Sequence, residues 1–449
     1  MSPPPKQPDK GRPEGDGPED DGQEGNGASR RGSQQRRPWT SAGGWAPGRP
    51  AQRRLFLLAS GLSTSGSFAG LTAKGWILLQ GSDTPLVLAL HFATLSLPSL
   101  LLSGPAGVAT DRLGSGFVLV RAQWGLFVAA VLGALAIPLL RGQAQTLMLL
   151  LSTLLVGVAS TYEQTARNKY TALLVEEPRQ LGPYIASFSV VFNVGKLVGP
   201  PLGGWLVALT GPTTALALDA LSYLLPIATV RWLLRPDHRL EQRSGGGRGT
   251  SLAVAWRDCG PVLRHVLRFT ALATLVGFFH PGLAPLIARE VLGPSPQALG
   301  LFTSVLAAGS ISGGLVLQRR SGWLSQRPAW LLGSCAVLTA LAQIGMAVSS
   351  GERALQLTMT FLIGAGTACL LAGTNLIAQV GAPMALRGRM AGLGQIAFLG
   401  GGGLSGLIAA LLSGAIGLAS TFALMGSAGL LIGARELLRR RGLRLQTLR

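Results

Sequence analysis

Charged side chains are scarce in this sequence: they make up 13% of 449 residues, while 48% are hydrophobic. An average soluble domain carries roughly 25% charge, so this chain has too little to clothe its apolar surface in water, and most of it must face lipid. Cysteine is nearly absent. Cys259, Cys335 and Cys369 fall at spacings that predict no close pair, which excludes a disulfide framework, and the two within apolar runs read as small hydrophobes. None of the four histidines stands in an H-x-x-x-H or C-x-x-C setting, so no metal site is expected. There is no G-x-x-x-x-G-K-[ST] run to cradle a nucleotide, so no cofactor is expected and ATP-driven transport by this chain alone is not expected. Aromatic residues, at 6%, are too few for an elaborate aromatic cage.

What the sequence does have is length of apolar run. A membrane-spanning helix needs about 20 mainly apolar residues, and twelve such stretches follow one another, separated by short polar or Gly/Pro breaks. The expected fold is an all-α integral membrane protein of twelve transmembrane helices in two six-helix, pseudo-symmetric bundles. Its boundaries are a disordered tail over 1–52, a first bundle over 53–234, a polar linker over 235–267, a second bundle over 268–438 and a basic tail over 439–449. The composition of the first tail, rich in Pro, Gly, Ser and charge, buries too little apolar surface to offset chain entropy. Within the second bundle the seventh span is expected near 268–289.

The net charge of +20 would suggest nucleic acid in a soluble protein, but here the basic residues are interleaved with apolar spans rather than gathered on one patch. Lys and Arg collect on the cytoplasmic connections of membrane proteins. Arg112, Arg121, Arg167, Lys169, Arg319, Arg320, Arg387 and Arg389 fall on alternate connections of the twelve-span layout, whereas the intervening ones hold only Arg141, Arg289 and Arg353. This places both termini in the cytoplasm of a multi-pass plasma-membrane protein whose partners are the bilayer and a small-molecule substrate, not nucleic acid.

Two stretches carry recognisable patterns. Between spans 2 and 3 runs Gly107-Val108-Ala109-Thr110-Asp111-Arg112-Leu113-Gly114, read as a short loop. Its glycines suit a tight turn, and Asp111 suits a breakable contact with a helix N-terminus or an arginine. Span 5 contains Gly195-Lys196-Leu197-Val198-Gly199-Pro200-Pro201-Leu202-Gly203-Gly204-Trp205-Leu206. Small residues at four-residue spacing present a flat face to another helix, and Pro200 adds a bend without a backbone donor.

The first pattern resembles the loop signature of the major facilitator superfamily, with Gly107, Asp111, Arg112 and Gly114 as its gating positions. The second is similar to that superfamily's antiporter signature, carried by Gly195, Gly199, Pro200, Gly203 and Gly204. Thr165-Ala166-Arg167, Phe192 to Lys196, Asn375 to Gln379 and Arg387 to Met390 narrow the resemblance to its enterobactin-exporter-like group, over roughly residues 53–435. The resemblance implies a monomer that exports siderophore- or drug-like molecules in exchange for a cation, the proton being the expected one. It also implies a route lined by spans 1, 4, 7 and 10, near Gln80, Tyr162, Phe278, Phe279 and Asn375.

Ionisable residues inside spans cost at least about 2.5–3.5 kcal/mol at the bilayer centre, so each requires a cavity or a partner. Lys196 and Asp219, in neighbouring spans 5 and 6, are candidates for an ion pair or for successive points on a proton path. Glu163 and Arg167, one helical turn apart, form either a gate or a salt bridge. Lys74 is expected near the outer end of span 1, where its ammonium snorkels to water or else contacts substrate. His91 and His280 read first as packing residues and second as proton carriers. The run Gly400 to Gly403 is a hinge or a close contact.

The expected function is therefore a proton-coupled secondary exporter that works by alternating access. The alternatives are a facilitator or importer of a metabolite, for which the span 5 pattern is packing alone, and a non-transporting sensor or scaffold. An enzyme is not expected, because no cluster of His, Asp and Glu gathers at one membrane face.

Overall fold

The computed structural model describes residues 50–81, 84–175, 178–234, 256–257, 259–325, 327–381 and 387–439. The expected tails, apart from residues 50–52 and 439, and most of the linker lie outside the described residues. The described chain is helical. The first half comprises α1 (Pro50–Gly81), α2 (Pro85–Leu113), α3 (Ser115–Leu139), α4 (Gly142–Leu173), α5 (Pro178–Thr210), α6 (Pro212–Ser222) and α7 (Leu224–Ala228), the last running into a π-helical turn over Thr229–Leu234. The second half comprises α8 (Pro261–Gly277), α9 (Ala284–Leu292), α10 (Pro296–Ser325), α11 (Pro328–Val348), α12 (Arg353–Val380), α13 (Arg387–Ile416) and α14 (Leu418–Leu437). Among the described residues, eleven helices are long and apolar enough to cross a membrane.

Local sequence sets these boundaries. Proline opens seven of the helices, where its missing N–H is no loss and its fixed φ suits the first turn. Glycine at positive φ makes the sharpest connections. Gly114 (φ 92°) joins α2 to α3, and Gly211 (φ 86°) precedes Pro212 at the start of α6. Only Gly114 forms the turn in the Gly107–Gly114 stretch. Residues 107–113, expected as loop, are the last turns of α2.

The seventh span departs from expectation. Instead of one helix over 268–289, α8 begins at Pro261, inside the expected linker, and stops at Gly277, and α9 resumes at Ala284. The break holds Phe278, Phe279, His280 and Pro281. Proline cannot donate to the carbonyl four residues back and its ring collides with that carbonyl, and Gly282 next to it weakens the helix further. The carbonyl that Pro281 leaves without a donor, Gly277 O, accepts from Gln343 Nε2 of α11 at 3.1 Å, and the amides of Gly282 and Leu283 both donate to Phe279 O, at 3.0 and 3.3 Å.

The packing is asymmetric along the bundle. At one end a single apolar core draws on both halves: Trp76, Leu78, Leu88, Leu149 and Leu216 meet Phe279, Leu283, Ile287, Phe302 and Phe422. At the opposite end the apolar residues form two separate cores. One belongs wholly to the first half (Phe56, Leu119, Tyr170, Tyr184, Val230) and the other wholly to the second (Leu263, Phe269, Leu331, Ile377, Met390). The halves are thus sealed together at one end and packed independently at the other. The outer surface is apolar, with Leu101, Val348 and Leu431 each more than 70% exposed, as lipid-facing helices require.

Two helix crossings make the seal. α5 meets α10 where Gly204 lies against the Pro296 carbonyl, Gly300 against Pro200 and Pro201, and the Ser304 hydroxyl donates to Leu197 O at 2.8 Å. α2 meets the second half through Phe92, which stands 6.2 Å from Phe278 ring to ring, and through Ser96, which faces Gly403. Cys335 and Cys369, for which no close pair was expected, stand on the adjacent helices α11 and α12 as free thiols, with Cys369 Sγ donating to Gly313 O at 3.0 Å. Antiparallel neighbours bring together residues far apart in sequence, which spacing alone does not reveal.

Candidate functional site

A cavity of about 230 Å³ lies within the first half, lined by residues of α1 to α6 and by Tyr223. The helices supply polar atoms to it in stripes. On α1, Ser60, Ser63, Ser67 and Lys74 recur at three-, four- and seven-residue spacing; on α4, Ser160, Glu163, Gln164 and Arg167 do the same. Such spacing places each set along one helix face.

Four acidic or basic residues meet the cavity, and all are buried: Lys74, Glu163, Arg167 and Asp219. Glu163 Oε1 accepts from Arg167 Nη1 at 2.8 Å and from Gln123 Nε2 at 3.3 Å. Lys74 Nζ donates to Ser152 Oγ at 2.7 Å, and that hydroxyl donates to Ala129 O at 2.6 Å. Asp219 lies within the electrostatic reach of the Lys74 ammonium and lines the cavity together with Tyr223. Ser67 in turn donates to Tyr223 Oη at 2.9 Å. Among the described residues Asp219 Oδ1 has no hydrogen-bond partner.

Two glycines create the room for this arrangement. A Cβ on Gly70 would collide with the carboxylate of Asp219, and a Cβ on Gly133 would come within 3.0 Å of Lys74 Cε and 2.8 Å of Ser152 Oγ.

This placement corrects two expectations. Lys74 does not snorkel: it is 1% exposed and points into the bundle, held by Ser152. Nor does Lys196 pair with Asp219. Its ammonium lies 5.0 Å from the centroid of Phe192 and 5.8 Å from that of Phe68, and the cation within electrostatic reach of Asp219 is Lys74, without a direct ion-pair contact. Arg167 lies over the same Phe192 ring at 5.0 Å and over Phe188 at 5.4 Å.

Of the expected route residues, only Lys74 lines the cavity. Gln80 is exposed in the last turn of α1. Tyr162 packs on the first half's own core. Phe278 and His280 sit in the break, Phe278 tilted against Phe398 with ring centres 4.5 Å apart and His280 edge-on to Phe278 at 5.3 Å. Asn375 Oδ1 is buried against Gly394. His91 Nδ1 is 3.0 Å from Thr153 Oγ1, a packing hydrogen bond. Gly401 and Gly402 admit Thr274 and Phe278 at close range, the close-contact reading of that run.

At the end of α2, Asp111 Oδ1 accepts from Lys169 Nζ at 2.9 Å, with both groups partly exposed. Lys169 lies on α4, so in this conformation the contact stays within one half. Arg112 is exposed beside it, and Gly107 faces open space. In the span 5 pattern, Gly195, Gly199 and Gly203 pack on Thr64, Ser65 and Ala69 of α1, while Pro200 and Gly204 face α10. The motif therefore serves two helices, one in each half.

The family model described as a transmembrane secretion effector, of the major facilitator type, matches residues 42–446. The multidrug efflux pump Tap of Mycolicibacterium fortuitum is 25% identical over 397 residues, covering 84% of this chain and 94% of that protein. Tap of Mycobacterium tuberculosis is 25% identical over 389 residues, covering 82% of this chain and 88% of that protein. Among solved structures, the nucleoside transporter NupG superposes with a TM-score of 0.67 at 11% identity, over 86% of this chain and 98% of that one. The peptide transporter POT gives 0.66 at 14% identity, over 87% and 95%. At such identities the structural likeness concerns the fold.

Proposed function

Because the chain belongs to the transmembrane secretion effector family of the major facilitator superfamily, in its drug and siderophore exporter group, we propose that it is a proton-coupled secondary exporter of small siderophore- or drug-like molecules. It works as a monomer in the plasma membrane by alternating access. The observation that carries this reading is the set of two opposite-charge couples, Glu163 with Arg167 and Lys74 with Asp219, buried in one cavity of a bundle sealed at a single end.

Given both termini in the cytoplasm, the sealed end faces outward and the described conformation opens inward, ready to load cargo. A proton taken up by Asp219 from outside cancels its attraction for Lys74, and Ser152 then holds the ammonium alone. Loss of that proton to the cytoplasm restores the attraction. Each protonation state thereby favours a different arrangement of α1 against α6, which is the differential affinity that coupled transport requires. The Asp111–Lys169 contact, as a solvent-accessible pair, contributes at most about 1 kcal/mol and is readily broken during rocking. No covalent chemistry enters the cycle.

The test is made in inverted membrane vesicles with an acid interior, to which a panel of siderophores and drug-like compounds is added. Accumulation that collapses when the gradient is dissipated supports coupled export. Equal equilibration with and without a gradient overturns it in favour of a facilitator.

A further inference from the structure

Two cations share one aromatic ring at the side of the cavity. Arg167 Cζ and Lys196 Nζ each lie 5.0 Å from the centroid of Phe192; Arg167 and Phe192 line the cavity, and Lys196 is set back from its lining, next to the ring. Among the described residues one carboxylate, Glu163, is paired with either of them, and it is bound at Arg167 Nη1. Lys196 forms no ion pair with a carboxylate among the described residues. The Arg167 side chain is nine-tenths buried and lines the cavity, yet its Nε has no hydrogen-bond partner among the described residues. Two like charges facing one ring repel each other, and a guanidinium N–H buried without an acceptor costs free energy. An anion delivered through the cavity relieves both.

We propose that Arg167 and Lys196, arranged about Phe192, form an anion-recognition subsite that accepts a carboxylate or similarly compact anionic group on an aromatic or otherwise flat molecule. The guanidinium supplies planar N–H donors suited to a carboxylate edge, and the ammonium supplies a second positive charge near the same ring. Phe68, 5.8 Å from the same ammonium, and Phe192 offer apolar faces for the body of the molecule. The hydroxyl stripe of α1 continues the site toward Lys74 and Asp219, so a zwitterion with its cationic group directed at Asp219 also fits. This assignment deepens the exporter reading by naming the charge class of its cargo, and it rests on that reading only for the direction of movement.

The test uses purified full-length protein in lipid nanodiscs and three flat probes of one shape and different charge: 2-naphthoate, 2-naphthamide and 2-naphthamidine. Binding is followed by calorimetry. The wild type is expected to bind the naphthoate at least about tenfold more tightly than the amide, the scale of one charge-assisted contact. Lys196→Gln loses that preference, Lys196→Arg retains it, and Lys196→Glu reverses it toward the amidine. Thermal melting of each variant identifies any that is misfolded, and Lys196→Arg, as the conservative replacement, keeps the comparison decisive. Wild-type protein that binds the amidine as well as the naphthoate, or a preference that Lys196→Gln leaves intact, overturns the proposal. Gradient-driven accumulation in vesicles with no charge preference in binding would sink the anion site and leave export standing. Charge-selective binding without gradient dependence would do the reverse.

Discussion

Gly70 on α1 leaves the space that the carboxylate of Asp219 on α6 occupies: a methyl group at that position would overlap Oδ2 and Cγ. The acid is thereby held against the helix that also carries Lys74, with no other side chain between backbone and carboxylate on that side. Gly133 does the same for the Lys74 and Ser152 pair from α3. The charged centre of the cavity is fitted by two absent side chains as much as by the residues present.

Gly70→Ala is expected to displace Asp219, to lower stability by about 1–3 kcal/mol as overpacked sites do, and to abolish gradient-driven transport. Gly107→Ala, at a helical position that meets nothing within 4 Å, is expected to raise stability by up to about 1 kcal/mol, as Ala does over Gly inside a helix. Thermal melting in detergent, with vesicle transport beside it, compares the two.

Removing either member of the Lys74–Asp219 couple leaves the other buried without its counter-charge. Lys74→Met and Asp219→Asn are each expected to destabilise the fold, by about 3 kcal/mol at the severe end, and the double variant to recover most of that loss while remaining uncoupled. The measurement is a double-mutant cycle of melting temperatures; strictly additive losses would show that the two side chains do not interact.

The fold was legible in the sequence because lipid imposes length and apolarity on every crossing, and Pro and Gly mark the ends, as Gly211-Pro212 does at the start of α6; the same signal at Gly260-Pro261 lies inside the stretch expected as linker. The broken seventh span was less so, since Pro281 and Pro285 signal weakness in a helix without saying whether it kinks or stops. The site was half legible. Glu163 and Arg167 are four residues apart on one helix, so spacing alone joins them. Lys74 and Asp219 meet only through the packing of α1 on α6, and sequence proximity pointed instead to Lys196 as the partner. Ser67, Gln123, Ser152 and Tyr223 went unnoticed, although the three- and four-residue recurrence of Ser60, Ser63, Ser67 and Lys74 is a polar stripe visible in the sequence.

The seal between α5 and α10 depends on close backbone approach at Gly204. Gly204→Leu is expected to prevent that closure and so to disfavour the conformation described. In a cysteine-free background, Ser99→Cys, a cavity position, labels from the cytoplasmic side with a membrane-impermeant thiol reagent; adding Gly204→Leu is expected to slow that labelling at least about tenfold, a shift of about 1.4 kcal/mol. Unchanged labelling would mean that the crossing does not set the balance of states.

The most direct test of coupling through Asp219 compares two modes of movement in proteoliposomes, gradient-driven accumulation and exchange of labelled for unlabelled cargo without a gradient, for wild type and Asp219→Asn. The account predicts that the wild type performs both, and that Asp219→Asn exchanges cargo but no longer accumulates it against a gradient. Asp219→Asn protein that accumulates cargo as the wild type does would contradict it.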